Sequence, residues 1–156
     1  MTHTVQLDQP VPAFTATATG ELTLTEKDLQ GRNTVVYFYP RDNTPGCTTQ
    51  GQEFRDLYEE FEALNCAVIG VSRDSLRSHE RFKEKHNFPF PLIADEEETF
   101  CQLFDVIKLK KLYGKEHLGI ERSVFLIDSD GVLRHAWRKV KSKGSAEEAL
   151  AALKTL

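Results

Sequence analysis

Cysteine is the residue type in this sequence with the clearest capacity for chemistry, and one of the three cysteines stands at a predicted helix start. The segment from Pro40 to Cys47 reads PRDNTPGC. Thr44 favours the N-cap position and Pro45 favours the first helical position, so Cys47 falls in the first turn. Free backbone N–H groups and the helix dipole stabilise an anion there. The sequence therefore predicts a reactive thiolate rather than the small buried hydrophobe that a lone cysteine often is.

An apolar strand and an amphipathic helix must position this cysteine. Residues 34–39 read TVVYFY, which predicts a strand buried on both faces that Pro40 ends. Apolar residues recur at three- and four-residue steps from Phe54 to Leu64. This spacing predicts one continuous helix from the cysteine to about residue 64.

The remaining chain alternates predicted strands and helices before it ends in a hairpin and a last helix. We predict a hairpin within 13–24, strands at 67–72, 123–128 and 132–137, and helices at 75–86, 96–104 and from 145. This order predicts an α/β fold with a mixed central sheet flanked by helices, in a single domain spanning 1–156. The basic stretch 108–115 is interpreted as a solvated loop or helix edge, and His79 and His86 as solvated helical residues.

Several segments resemble the peroxiredoxins. Pro40, Thr44 and Cys47 fill the family signature Pro-x-x-x-Thr-x-x-Cys, and the longer TPGCT resembles the Q-type subfamily, the bacterioferritin comigratory proteins. Residues 119–128, GIERSVFLID, resemble the segment that supplies the active-site arginine of the family, which is Arg122 here. The resemblance covers nearly the whole chain and implies a thioredoxin-like fold with the N-terminal extension of the family.

The resemblance implies a thiol-dependent peroxidase that reduces hydrogen peroxide and organic hydroperoxides through a sulfenic acid on Cys47. Arg122 would stabilise the thiolate and bind the peroxide oxygens, unless it forms only a surface ion pair. Thr44 would cap the helix, offer its hydroxyl to the peroxide, or do both, and Pro40 would shield the thiolate from water or merely end a strand. Gln50 stands where the subfamily usually has glutamate, which removes a negative charge near the thiolate.

The sequence departs from the subfamily at the step that reduces the sulfenic acid. Many members carry a second cysteine where this chain has Gln52, and others carry it near the position of Lys83. Cys66 precedes a core strand and is predicted to be buried, whereas Cys101 flanks an apolar helix face. We therefore favour a one-cysteine mechanism with an external thiol such as glutathione, glutaredoxin or thioredoxin. A two-cysteine mechanism with Cys101, or else Cys66, as the resolving thiol remains the alternative.

Composition and charge argue against other classes of partner. The net charge is −4 and Lys and Arg form no block, which argues against nucleic acid and anionic membranes. No apolar run is long enough to span a membrane and the N-terminus lacks signal-peptide features, so we expect a cytoplasmic protein. The histidines show no metal-ligand spacing, so we expect neither metal nor cofactor. The habit of the subfamily implies a monomer.

Two other functions fit the sequence less well. A thiol-disulfide oxidoreductase would require Cys-x-x-Cys, but position 50 is glutamine. A catalytically silent binding or holdase domain would neither gain oxygen nor lose hydrogens when it is treated with peroxide, whereas a peroxidase would do one or the other.

Overall fold

The computed structural model describes residues 4–156. The strands in chain order are β1 (Thr15–Ala18), β2 (Leu22–Thr25), β3 (Asn33–Phe38), β4 (Cys66–Ser72), β5 (Leu92–Ala94), β6 (Ile107–Leu112), β7 (Lys115–Ile120), β8 (Ser123–Ile127) and β9 (Leu133–Trp137). The helices are α1 (Pro45–Asp56), α2 (Tyr58–Ala63), α3 (Leu76–His86), α4 (Thr99–Leu103) and α5 (Ser145–Leu153), and a 3₁₀ turn spans Glu26–Leu29.

Seven of these strands form a mixed central sheet in the order β2-β1-β5-β4-β3-β8-β9. β3 lies in its interior, parallel to β4 and antiparallel to β8. Every residue of β4 and β8 is buried, as expected for strands covered on both faces. The predicted α/β fold with a mixed sheet is confirmed.

Two hydrophobic cores lie on opposite faces of this sheet. Side chains alternate between the faces of a strand, so neighbouring residues of β3 enter different cores. Val35 and Tyr37 pack in the core that contains Cys47, whereas Val36 and Phe38 pack in the core that contains Cys101. The sheet therefore separates these two cysteines.

The structure corrects two predictions about secondary structure. The predicted helix to residue 64 is interrupted at Leu57, whose backbone (φ −96°, ψ 2°) leaves the helical region before α2 begins. The basic stretch 108–115 is not a loop or helix edge but most of the β6/β7 hairpin. Tyr113 and Gly114 both adopt positive φ at its tip, which suits a tight hairpin turn.

No helix in the described range 4–156 is long and apolar enough to cross a membrane.

Candidate active site

The N-terminus of α1 presents Cys47 in its first turn, as the sequence predicts. Thr44 occupies the N-cap with extended backbone, followed by Pro45 and Gly46. The Thr44 hydroxyl forms no capping bond and instead donates to the Arg41 carbonyl at 2.8 Å. The predicted capping hydrogen bond is therefore wrong, although the N-cap position is correct. The first amides of α1 have no side-chain cap and can interact with an anion.

Arg122 lies next to the cysteine because of strand pairing. Ser123 in β8 pairs with Phe38, so Arg122 lies beside the end of β3, where the loop to Cys47 begins. Its Nη2 atom donates to the Cys47 Sγ atom at 3.4 Å, and the thiol is only 2% exposed. A permanent cation at this distance favours the thiolate over the thiol.

Gly46 makes room for this guanidinium. A Cβ atom at Gly46 would lie 3.2 Å from Arg122 Nη2, which is closer than ordinary packing allows. A glycine therefore suits this position of the TPGC motif not only because of the helix start. A larger residue there would also crowd the Arg122 guanidinium.

Gln50 holds the guanidinium from its other side. The fully buried Gln50 accepts a hydrogen bond from Arg122 Nη1 at 2.7 Å and donates to the Ser145 hydroxyl at 3.1 Å. The sequence marks Gln50 as a departure from the subfamily but does not predict this role. Its position three residues after Cys47, on the same helix face, is the signal that could have revealed it.

His79 and Asp42 form a buried pair beneath the loop that carries the site residues. His79 Nδ1 lies 2.7 Å from an Asp42 carboxylate oxygen, and His79 Nε2 lies 2.9 Å from the Ile93 carbonyl oxygen. The Ile93 carbonyl can only accept, so Nε2 donates to it while Nδ1 faces the Asp42 carboxyl group. The prediction that His79 is solvated is wrong. Its spacing of three residues from Leu76 and from Phe82 on α3 is the signal that it belongs to the buried face.

Other donors complete this network around Asp42. The carboxylate accepts hydrogen bonds from the Tyr39 hydroxyl at 2.6 Å and the Ser78 hydroxyl at 2.8 Å, and the Asp42 amide donates to Asp74. Burial and the charge of Asp42 hold the pKa of Tyr39 well above its usual value, so that hydroxyl remains a donor. Asp42, Asp74 and His79 carry metal-ligating atoms close together, but these side chains bind one another and neighbouring groups. The network fixes the loop 40–46 to both β3 and α3.

Both the sequence and the fold of this chain are similar to those of known proteins. The model of the AhpC/TSA family matches residues 7–136. The chain belongs to this peroxiredoxin family. Peroxiredoxin Bcp of Bacillus subtilis is 48% identical over 153 residues, which cover 98% of this chain and 98% of the relative. Peroxiredoxin Bcp of Xanthomonas campestris is 54% identical over 120 residues, which cover 77% of this chain and 75% of the relative.

A solved structure of the Xanthomonas campestris bacterioferritin comigratory protein, described in connection with its alkyl peroxide reduction activity, is also similar. It superposes with a TM-score of 0.87 at 47% identity and covers 91% of this chain and 90% of that chain. The fold is the thioredoxin-like α/β fold, and the chain is a thiol-dependent peroxidase of the Q (Bcp) type.

The other two cysteines of this peroxiredoxin lie apart from the site. Cys66 begins β4, is buried, and donates from its sulfur to the Ala67 carbonyl at 3.3 Å. Its burial raises the pKa of the thiol from 9.0 to about 12. Cys101 in α4 is fully buried, and burial together with the charge of Asp95 raises its pKa still further. Because their pKa values are raised, both thiols stay protonated at neutral pH, and a protonated thiol is a poor nucleophile towards another sulfur.

Pro40 follows Tyr39, the residue after β3, and is half-buried at the start of the loop. It lines a surface cleft with Arg41 and Arg73. The structure thus brings Arg122 and Cys47 into contact, while Thr44 and Pro40 lie on the loop and N-cap that precede Cys47.

Proposed function

We propose that Cys47 is the nucleophile that attacks the peroxide. The observation that carries this proposal is the 3.4 Å contact between Arg122 Nη2 and Cys47 Sγ at the start of α1. The other two thiols have raised pKa values and no cationic partner within hydrogen-bonding distance among the described residues. A thiolate is the reactive form, so Cys47 is the thiol suited to fast attack.

The reaction with peroxide then follows from the geometry. The Cys47 sulfur forms a bond to one peroxide oxygen while the O–O bond breaks, and the departing oxygen takes a proton to become water or an alcohol. Negative charge grows on the departing oxygen during this step. The Arg122 guanidinium and the uncapped first amides of α1 stabilise that charge. The product on the enzyme is a sulfenic acid.

Thr44 and Pro40 have supporting roles in this proposal. The Thr44 hydroxyl is held by the Arg41 carbonyl next to the helix start, and it can accept a hydrogen bond from a bound peroxide with its free lone pair. Pro40 limits water access from the loop side. The substrates are hydrogen peroxide and organic hydroperoxides, in keeping with the alkyl peroxide activity described for the Xanthomonas protein.

We infer that the sulfenic acid is reduced by an external thiol such as glutathione, glutaredoxin or thioredoxin. The placement of Cys101 in the core on the far face of the sheet supports this, because a disulfide requires Cα atoms within about 7 Å. The two-cysteine alternative with Cys101 would require α4 to leave its core. We further propose that the enzyme works as a cytoplasmic monomer.

Serine variants of each cysteine test the proposal. Cys47→Ser should lose peroxide consumption with dithiothreitol as reductant, because an alcohol is scarcely ionised at neutral pH. Cys66→Ser and Cys101→Ser are the matched controls and should keep turnover within about a factor of two. Activity retained by Cys47→Ser would refute the assignment of the nucleophile, and loss in Cys101→Ser alone would favour the two-cysteine route.

A further inference from the structure

A cationic surface surrounds the opening of the site, formed on one side by the segment between β9 and α5. The Val140 amide donates to the Arg122 carbonyl at 2.9 Å. The Ser142 side chain lies 3.6 Å from the position that a Cβ atom of Gly46 would occupy. Val140 and Ser142 are therefore the inward residues of this segment. Lys139, Lys141 and Lys143, which alternate with these two residues, are exposed; we name them the basic rim.

Lys110 on the β6/β7 hairpin approaches the same opening from another element. Its alkyl stem lies 3.3 Å from the position of a Cβ atom at Gly119. Burial and the charge of Arg122 lower the pKa of Lys110, and a Cys47 thiolate opposes that effect, so its ammonium group lies within the electrostatic range of both. The cationic surface therefore continues beyond the basic rim.

The charges of the rim are not neutralised by neighbouring carboxylates. Among residues 4–156, the ion pairs with N–O distances up to 4.0 Å include none made by the rim lysines or Lys110. The nearby acids are Glu53, which accepts from the Gly144 amide, Glu121, which precedes Arg122, and the exposed Glu147 and Glu148 in the first turn of α5. Together with Arg122, the cations outnumber these acids in a chain whose net charge is −4, so the positive surface is a local feature.

We propose that the basic rim captures the reductant, and that the reductant it fits is a small thiol carrying carboxylates. This inference rests on the proposed function, because it concerns the thiol that reduces the Cys47 sulfenic acid. Cys47 is 2% exposed at the start of an intact helix, so a small molecule can reach it with less rearrangement than a folded protein partner. Unpaired lysines at the opening raise the local concentration of anions.

Two molecules of the captured thiol reduce the Cys47 sulfenic acid completely, without any further reagent. Its sulfur attacks the sulfenic sulfur, a mixed disulfide forms, and the hydroxyl leaves as water with the proton of the thiol. A second thiol then attacks the mixed disulfide, which releases the oxidised disulfide of the small thiol and restores the Cys47 thiolate. The rim acts on both steps, because in each of them a small thiol must reach the Cys47 sulfur through the same opening.

The experiment compares three thiols that differ in charge. Cys47 is first oxidised with one equivalent of hydrogen peroxide, and the second-order rate of its reduction is then measured with glutathione (anionic), mercaptoethanol (neutral) and cysteamine (cationic). The test variant is K139Q/K141Q/K143Q. The control variant K27Q/K85Q/K154Q removes the same number of exposed lysines away from the site. For each thiol, the reduction rate of the variant is divided by that of the wild type. This ratio removes the effect of the different pKa values of the three thiols.

We expect the rim variant to react about 5 to 10 times more slowly with glutathione, within about a factor of two with mercaptoethanol, and faster with cysteamine. The control variant should match the wild type with all three thiols. In the wild type, raising the ionic strength from ~0.01 M to ~1 M shortens the screening length from about 30 Å to about 3 Å and should remove the preference for glutathione. The wild-type salt series tests the proposal even if the triple variant fails to fold.

Equal losses with all three thiols, or a glutathione rate that is insensitive to both salt and the rim substitutions, would overturn the proposal. Failure of the proposed function is a separate result, because it would appear as no oxidation of Cys47 in the first step, before any thiol is added.

Discussion

At the scale of single residues, the reactivity of Cys47 depends on how firmly the Arg122 guanidinium is held. Two hydrogen bonds use different ends of that group, one to the cysteine sulfur at 3.4 Å and one to Gln50 at 2.7 Å. Gln50 is in turn held by Ser145 at the start of α5. The charge that stabilises the thiolate is therefore oriented by a neutral amide, so little of it is cancelled within the site.

Arg122→Met should lower the rate of the peroxide reaction by on the order of 10²–10³, the range for one group that stabilises transition-state charge. Stopped-flow peroxide consumption measures this effect. An unchanged peroxide rate would mean that the 3.4 Å contact has no catalytic role.

Gln50→Ala should lower the peroxide rate by about 10-fold, less than the loss of Arg122 itself, because the guanidinium stays but loses an orienting hydrogen bond. Gln50→Glu keeps an acceptor at the same place and should stay within a few-fold of the wild type. The comparison of the two variants by the same kinetics separates orientation from packing. An unchanged peroxide rate in Gln50→Ala would contradict the orienting role.

At the scale of secondary structure, the loop between β3 and α1 is held by a buried network rather than by a helix cap. Asp42 accepts hydrogen bonds from Tyr39, directly after β3, and from Ser78 in α3, and the Thr44 hydroxyl is used within the loop. The start of α1 is thereby kept in place while its first amides remain uncapped. This arrangement combines a rigid cysteine position with an anion-stabilising helix end.

His79→Leu should destabilise the protein by about 3–5 kcal/mol, because it leaves the buried Asp42 carboxyl group without its closest partner in the pair. His86→Leu is the matched control on the same helix. His86 is only half-buried and does not contact Asp42, so we expect a change of less than about 1 kcal/mol. Urea unfolding at neutral pH measures both. Similar free energies of unfolding for the two variants would show that the pair contributes little.

At the scale of the whole molecule, the central sheet separates the Cys47 thiol from the Cys101 thiol. Cys47 packs on one face and Cys101 on the other. Cys66 shares the face of Cys47, but it pairs with Asn33 at the start of β3, whereas Cys47 follows the far end of that strand. The molecule therefore isolates its reactive thiol from the other two. The prediction that an external thiol completes the cycle follows from this separation.

The sequence predicted most of the sheet and the chemistry at Cys47, because strands and the TPGC helix start have strong local signals. It missed features that depend on contacts between distant segments. The Arg122–Gln50 and Asp42–His79 contacts join residues 72 and 37 positions apart. The β6/β7 hairpin was missed because its lysines resemble a solvated segment, although its cross-strand pairing places Leu109 opposite Leu118. The Leu57 interruption leaves the helical apolar spacing intact and so has no sequence signal.

The raised pKa of a buried thiol leads us to expect that the free energy of unfolding falls at alkaline pH. The pKa of Cys66 is raised from 9.0 to about 12 in the folded protein, so between these values the unfolded chain releases a proton that the folded chain retains. The free energy of unfolding should therefore decrease as the pH rises from 9 towards 12. Cys66→Ala should show a shallower decrease in urea unfolding measured at several pH values. Identical slopes for the variant and the wild type would contradict this account.

The most direct test of the central claim is to map the cysteines after one equivalent of hydrogen peroxide in the absence of any thiol. The account predicts one added oxygen on the peptide that contains Cys47, captured in high yield by a sulfenic-acid trap such as dimedone, with Cys66 and Cys101 still reduced. A disulfide between Cys47 and Cys101 in high yield would contradict the one-cysteine mechanism, and oxidation at another cysteine with Cys47 unchanged would contradict the assignment of the nucleophile.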